Sequence, residues 1–199
     1  MNDEFKLALL RAAVGLGQMS TVLPHTEELQ RAYEFAWLKH FGQVRPGGEL
    51  QFEHAFDVAV RTLNSFPQSI FITEEQETAM TAAMLHDVIE DTDTTHREVS
   101  ERFGCQVADI VQAVSHEEEG EPDAVYLRRV AAGGKLAVIV KRSDRLDNLN
   151  KLRTAPRELR ERKLAEVRAA LPLWYEIDPT GASQIEELLE EVEHESATP

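Results

Sequence analysis

The chain has 199 residues and a mass of 22.4 kDa, with 42% hydrophobic and 29% charged residues. That is enough for one folded domain whose core needs no disulfide, and it excludes a disordered or low-complexity chain. A formal net charge of −15 argues against duplex DNA and anionic membranes as partners, because both demand a basic field.

No apolar run reaches the roughly 18 residues that span a bilayer. The start, Met1 to Phe5, lacks the basic and apolar regions of a secretion signal. Cys105 has no second cysteine to pair with, so a cytoplasmic protein is expected.

In chain order, Phe5, Leu9, Ala12 and Leu16 share one helical stripe, and Arg45-Pro46-Gly47-Gly48 breaks the pattern. His54 opens a second stripe with Phe52, Phe56, Val60 and Leu63. Thr73-Glu74-Glu75-Gln76 and Thr95-His96-Arg97-Glu98 fit capping boxes, predicting helix starts at 74 and 96. Gly104 closes the second of these, and Asp109–Val114 reads as another apolar helix. Further breaks fall at residues 119–122, 133–134 and 178–181. Leu136–Val140 is β-branched, but with no partner strand it reads as buried helix. Ile185, Leu188, Leu189 and Val192 form a last stripe. The expectation is an all-α fold of about eight to ten helices. Residues 1–175 form the main domain, and residues 176–199 form an acidic helix and tail packed on it.

Residues 127–168 carry 13 Lys and Arg against five Asp and Glu, whereas eight acids and no Lys or Arg follow Arg168. The basic surplus is either a solvated face balanced by the acidic tail or a surface that meets a polyphosphate.

The segment Leu85-His86-Asp87-Val88-Ile89-Glu90-Asp91-Thr92 carries the chemistry. Adjacent His and Asp offer nitrogen and oxygen to a divalent ion such as Mn²⁺, Fe²⁺ or Zn²⁺. Glu90, four residues after His86 and three after Asp87, would share their face on a helix and could position or deprotonate water. Asp144 lies among Leu136, Ile139, Leu146 and Leu149, where an unpaired carboxylate is costly. Read singly, Asp144 is an ion-pair partner of Arg145 or another Arg, and His54 is a core histidine bonded to a carbonyl.

The order His54, His86-Asp87, Asp144 resembles the ligand order of the HD-domain phosphohydrolases. Three segments resemble more narrowly the hydrolase domain of the RelA/SpoT family and its small stand-alone alarmone hydrolases. Leu85–Thr92 matches the Leu-His-Asp-x-x-Glu-Asp-Thr run, Lys141–Asn148 the Lys-x-x-Asp-Arg-Leu-x-Asn helix, and Arg45–Glu49 with His54 the Arg-x-x-Gly-Glu segment and its histidine. The resemblance covers residues 30–170. It implies an HD-type helical bundle and one Mn²⁺ per chain held by His54, His86, Asp87 and Asp144. It assigns water activation to Glu90 and Asp91, and substrate contacts to Arg45, Lys141, Arg145 and Asn148. The implied reaction is hydrolysis of the 3′-pyrophosphate of (p)ppGpp; from the chain's length its synthesis is not expected, and from its charge no nucleic-acid or membrane partner is expected.

The sequence departs from that pattern at Gly47 (usually Ser), Gln51 (Tyr), Ala55 (Pro), Arg142-Ser143 (Leu-Ala) and Asp147 (His or Tyr). Several of these positions lie near the expected purine and ribose, so the chemistry is better defined than the substrate. Another HD-type nucleotide phosphohydrolase, or a non-catalytic nucleotide- or protein-binding module, stays open. Trp37, Phe103 and Trp174 read as packing residues, Cys105 as unreactive. His116 reads as a solvated loop residue. His25, His40, His96 and His194 have no ligand partner at a telling spacing.

Overall fold

The computed structural model describes residues 26–67, 72–117 and 120–197. The Phe5–Leu16 stripe and His25 lie outside them. The helices are α1 (Glu27–Lys39), α2 (Gln51–Asn64), α3 (Glu74–Met84), α4 (Val88–Asp91), α5 (His96–Phe103), α6 (Cys105–Val114), α7 (Asp123–Ala132), α8 (Lys135–Lys151), α9 (Arg157–Ile177) and α10 (Pro179–Ala197). Among the described residues the one β feature is an isolated antiparallel bridge from Val44 to Leu50. Leu136–Val140 lies inside α8, as expected. No described helix is long and apolar enough to cross a membrane.

The caps follow from the sequence. Thr73 Oγ accepts from Gln76 N and Gln76 Oε1 accepts from Thr73 N, closing the box at the start of α3. Thr95 makes half of the second box by accepting from Glu98 N; the Glu98 carboxylate turns to Lys39 and Arg102. Gly104 joins α5 to α6 at φ 85°, a conformation that a side chain disfavours.

Helix α3 is the centre of the bundle. Its Ala79, Met80, Ala82, Ala83 and Met84 are all fully buried, and the small side chains let it pack against α1, α2, α6 and α8 together. Helix α8 lies against α3 and α2 on one side and α10 on another. Helix α10 is part of the same packed body. Ile185, Leu189 and Val192 are fully buried, worth about 1.5–3 kcal/mol each in gross burial. Asp178 separates α9 from α10. It accepts from Gly181 N at 3.0 Å and pairs with Arg142 of α8 at 2.7 Å. A Cβ at position 181 would collide with both Asp178 and Arg142, so glycine is required there.

Candidate metal centre and its cavity

The four predicted ligands converge. His54 comes from the first turn of α2 and Asp144 from the middle of α8, while His86 and Asp87 lie in the turn that ends α3. Consecutive residues on an unbroken helix would splay by about 100°. The turn from Leu85 to Asp87 instead brings both side chains to one point before the single-turn α4 begins.

The two imidazole rings stand 5.1 Å apart at 71°. His54 Nε2 is 3.7 Å from Asp87 Oδ2 and 3.1 Å from Asp144 Oδ1. His86 Nε2 is 3.0 Å and 3.8 Å from the same two oxygens. Donors bound about 2.1 Å from one cation at tetrahedral or octahedral angles stand roughly 3.0–3.4 Å apart. His54, His86 and Asp87 offer donor atoms all within 4.8 Å of one another.

Each imidazole is held through its other nitrogen. His54 Nδ1 donates to Asp147 Oδ2 at 2.7 Å, and His86 Nδ1 donates to Ala83 O at 2.9 Å. These bonds fix a proton on each Nδ1 and point both Nε2 atoms inward. His86 Nε2 is buried and without a hydrogen-bond partner. A two-nitrogen, carboxylate-rich donor set with such an orphaned atom fits a divalent cation. Neither predicted single-residue reading applies. His54 bonds a carboxylate rather than a carbonyl, and Asp144 pairs with Lys141 Nζ at 2.8 Å rather than with an arginine.

The charges in this cluster are strongly coupled. Burial pushes the His86 imidazolium down, but Asp87 and Asp144 outweigh it and raise its pKa to about 9. Burial favours protonated Asp87, yet His86 and His54 hold it well below the usual carboxylate range. Lys141 and His54 hold Asp144 far down in the same way.

A cavity of about 870 Å³ opens over this centre. Every predicted site residue lines it except His86, which sits buried behind its wall. Arg45 Nη2 donates to Asn148 Oδ1 at 2.5 Å, and Asn148 Nδ2 donates to Asp144 Oδ1 at 2.6 Å, so these residues form one chain to the centre. Arg145 has a buried Nε with no hydrogen-bond partner. Burial, with Asp87 and Glu90 beside it, pushes the Asp91 carboxyl up to about 6. Glu90 Oε2 accepts from the His116 backbone N–H at 2.8 Å.

The basic surplus divides between its two readings. Arg153 pairs with Glu191 and Glu195, Arg168 with Glu193, and Arg142 with Asp178, so part of it is balanced by the acidic helix. Lys141, Arg145 and Lys163 line the cavity.

Sequence reasoning missed three residues. Asp147 and Gln51 figured only as departures. Asp147 orients His54, and Gln51 Nε2 donates to Asp87 Oδ2 at 2.5 Å. Helical spacing could have found both, since each lies three residues from a ligand on its own helix. His116 is the third. It lies in a loop, as expected, but is half-buried: it lines the cavity, and its ring stacks on Tyr126 at 3.8 Å and 19°. His40 is buried, bonded through Nδ1 to Gln43 at 2.8 Å, and pushed down by burial.

The chain resembles known proteins over most of its length. The guanosine-3′,5′-bis(diphosphate) 3′-pyrophosphohydrolase of Aquifex aeolicus is 38% identical over 148 residues, which is 71% of this chain and 20% of that protein. The bifunctional (p)ppGpp synthase/hydrolase SpoT of Escherichia coli K12 is 30% identical over 193 residues, 91% of this chain and 26% of that one. The chain thus spans a fifth to about a quarter of the length of these relatives. A solved structure, described as a metazoan ortholog of SpoT that hydrolyzes ppGpp and plays a role in starvation responses, superposes with a TM-score of 0.70 at 22% identity. The match covers 84% of this chain and 97% of that one, and at that identity it establishes the fold. The HD domain profile matches residues 32–171, and the chain belongs to the HD domain family.

Proposed function

We propose that this chain is a metal-dependent phosphohydrolase. It holds one Mn²⁺ at His54, His86, Asp87 and Asp144 and cleaves the 3′-pyrophosphate from (p)ppGpp, leaving GDP or GTP and pyrophosphate. A cytoplasmic location belongs to the same reading. The observation that carries it is the donor set of two imidazoles and two carboxylates, 3.0–3.8 Å apart, at the base of a polar cavity. Relatives whose names state this hydrolysis support the choice of substrate.

A bound divalent cation supplies Lewis-acid charge to a phosphate oxygen and lowers the pKa of water. The chain's own residues do the rest. Asp91, raised to about 6, is a base matched to neutral pH. Glu90, fixed by the His116 N–H, holds the attacking water beside it. Arg145 lines the cavity with a guanidinium suited to a phosphate oxygen, and Lys141 adds charge next to Asp144. Arg45 and Asn148, bonded to each other, form the wall toward the nucleoside.

Gln51 favours a second reading. It is tied to Asp87 where the RelA/SpoT pattern has an aromatic ring, so a related 3′-phosphorylated nucleotide is the alternative substrate. Purified protein with Mn²⁺ should release intact pyrophosphate from ppGpp, and Asp87→Ala should abolish release. Orthophosphate from nucleoside monophosphates in place of pyrophosphate would assign another HD-type nucleotidase. A protein that binds no transition metal and gains no melting temperature from Mn²⁺ would be a non-catalytic module.

A further inference from the structure

His116 stands in the reaction cavity with no assigned task. Its backbone N–H holds Glu90 at 2.8 Å. Its ring lies flat on Tyr126, and Lys141 Nζ is 4.9 Å from the centre of that same Tyr126 ring. Its Nδ1 is 3.4 Å from Glu121 Oε2. Glu121 is itself anchored, since Arg129 Nη2 reaches the same oxygen at 2.6 Å. Tyr126 is pinned by its hydroxyl, which donates to Val114 O. The imidazole is therefore held by its face on Tyr126, with Nδ1 at ion-pair distance from Glu121 and Nε2 left over.

Hydrolysis at a ribose phosphate needs a proton at both ends. The attacking water must lose one, and the departing 3′-oxygen must gain one because an alkoxide is a poor leaving group. Attacking and leaving oxygens lie roughly in line on opposite sides of phosphorus, so one carboxylate cannot serve both. Glu90 and Asp91 serve the water. Among the cavity's other groups, Arg45 and Arg145 do not give up protons. Burial pushes Lys141 down, but Asp144 outweighs this and holds it well above the usual lysine range. Lys163 is paired with Glu166 at 2.7 Å. An imidazole is the side chain suited to proton donation near neutral pH.

We propose that His116 is a catalytic residue of this site, the acid that protonates the leaving ribose oxygen, and that Glu121 is the positioning residue that orients it. The inference rests on the 3′-pyrophosphohydrolase reading. Water oxygen forms a bond to the phosphorus next to the ribose, and the bond from phosphorus to O3′ breaks. Its electron pair stays on O3′, which takes the Nε2 proton of His116 and becomes the free 3′-hydroxyl. The water proton goes to the Glu90–Asp91 pair. Both groups then exchange with solvent, so the sum is nucleotide plus water giving GDP and pyrophosphate.

The test compares ppGpp with an analogue whose bridging 3′-oxygen is sulfur, since a thiolate leaves without a proton. With Mn²⁺, His116→Gln should lower kcat on ppGpp by about 100-fold or more while turning over the sulfur analogue close to wild type. Melting temperature and bound Mn²⁺ should be unchanged. Glu121→Gln leaves the imidazole in place and gives a second readout. Its kcat on ppGpp falls several-fold at constant KM, while the sulfur analogue is turned over close to wild type. Equal slowing of both substrates by His116→Gln, or no slowing on ppGpp, overturns the inference alone. A wild-type protein inert toward ppGpp overturns the substrate reading and this inference with it.

Discussion

Asp147 gives the sharpest test of the proposed metal centre, because it touches a proposed ligand, His54, without itself belonging to the donor set. Its Oδ2 is 2.7 Å from His54 Nδ1 and 2.7 Å from Lys151 Nζ, while Oδ1 is 3.1 Å from Arg61 Nε. Burial would raise its pKa, but the His54 and Lys151 hydrogen bonds bring it down to about 2, so it is an anion at neutral pH. The His54 ring is 1% exposed, so water cannot replace the acceptor. Asp147→Ala strands a buried N–H, a loss of about 1–3 kcal/mol, and frees the ring to turn. Removing such an outer partner typically costs 10–100-fold in metal affinity, about 1.4–2.7 kcal/mol. Asp147→Asn keeps an oxygen acceptor and loses only the charge, so its loss should fall at or below the lower end. Lys151 keeps Asp57 and Glu49, each at 3.4 Å, which limits damage elsewhere. Calorimetric titration with Mn²⁺ measures the dissociation constants, and the metal-free melting temperature shows how much of the effect is folding. An Asp147→Ala protein that folds and binds Mn²⁺ as tightly as wild type would refute the argument that this carboxylate orients His54.

The remaining predictions use the titrations and the packing. His86, raised to about 9 by Asp87 and Asp144 against burial, carries a proton at pH 7 that coordination must displace. Mn²⁺ binding there should release about one proton and weaken as pH falls; calorimetry in buffers of different ionisation enthalpy reads the number, and buffer-independent heats would contradict it. Asp91, raised to about 6, works as a base only when ionised. Activity should therefore fall on the acid side with a midpoint at or below 6, since a nearby cation lowers the value, and Asp91→Asn should lose activity together with that limb. Gly181→Ala forces a Cβ against Asp178 and Arg142, an overpacking cost of about 1–3 kcal/mol. Calorimetry should show a drop of several degrees in melting temperature, relieved when Arg142 is shortened to leucine.

The helices were largely legible because their ends are written in local chemistry. The Thr73 box, the Thr95 cap and Gly104 each act within four residues, and each places a boundary. That His54, His86, Asp87 and Asp144 would lie together was legible through a resemblance in their order, not through spacing. The spacing argument for Glu90 assumed an unbroken helix from His86. The chain instead turns at Leu85–Asp87, and Glu90 is held by a backbone N–H 26 residues away. His116 was illegible for a similar reason. What makes it a wall of the cavity is a ring on another helix, Tyr126, and no local pattern encodes a stack between a loop and the next helix.

The departures show where a sequence pattern and a structure divide the work differently. Several of these positions were expected to lie near the purine and ribose. In the structure Gln51 donates to Asp87 and Asp147 accepts from His54, so each polar replacement for an aromatic or imidazole ring ends on a predicted metal ligand. Arg142, a third departure, reaches away from the cavity to Asp178 and ties α8 to α10. Three of the changes therefore act on how firmly the centre and its helix are held. Ligand geometry is sensitive to such partners, so these positions are expected to distinguish this chain from its relatives first in metal affinity, before any difference in the base it accepts.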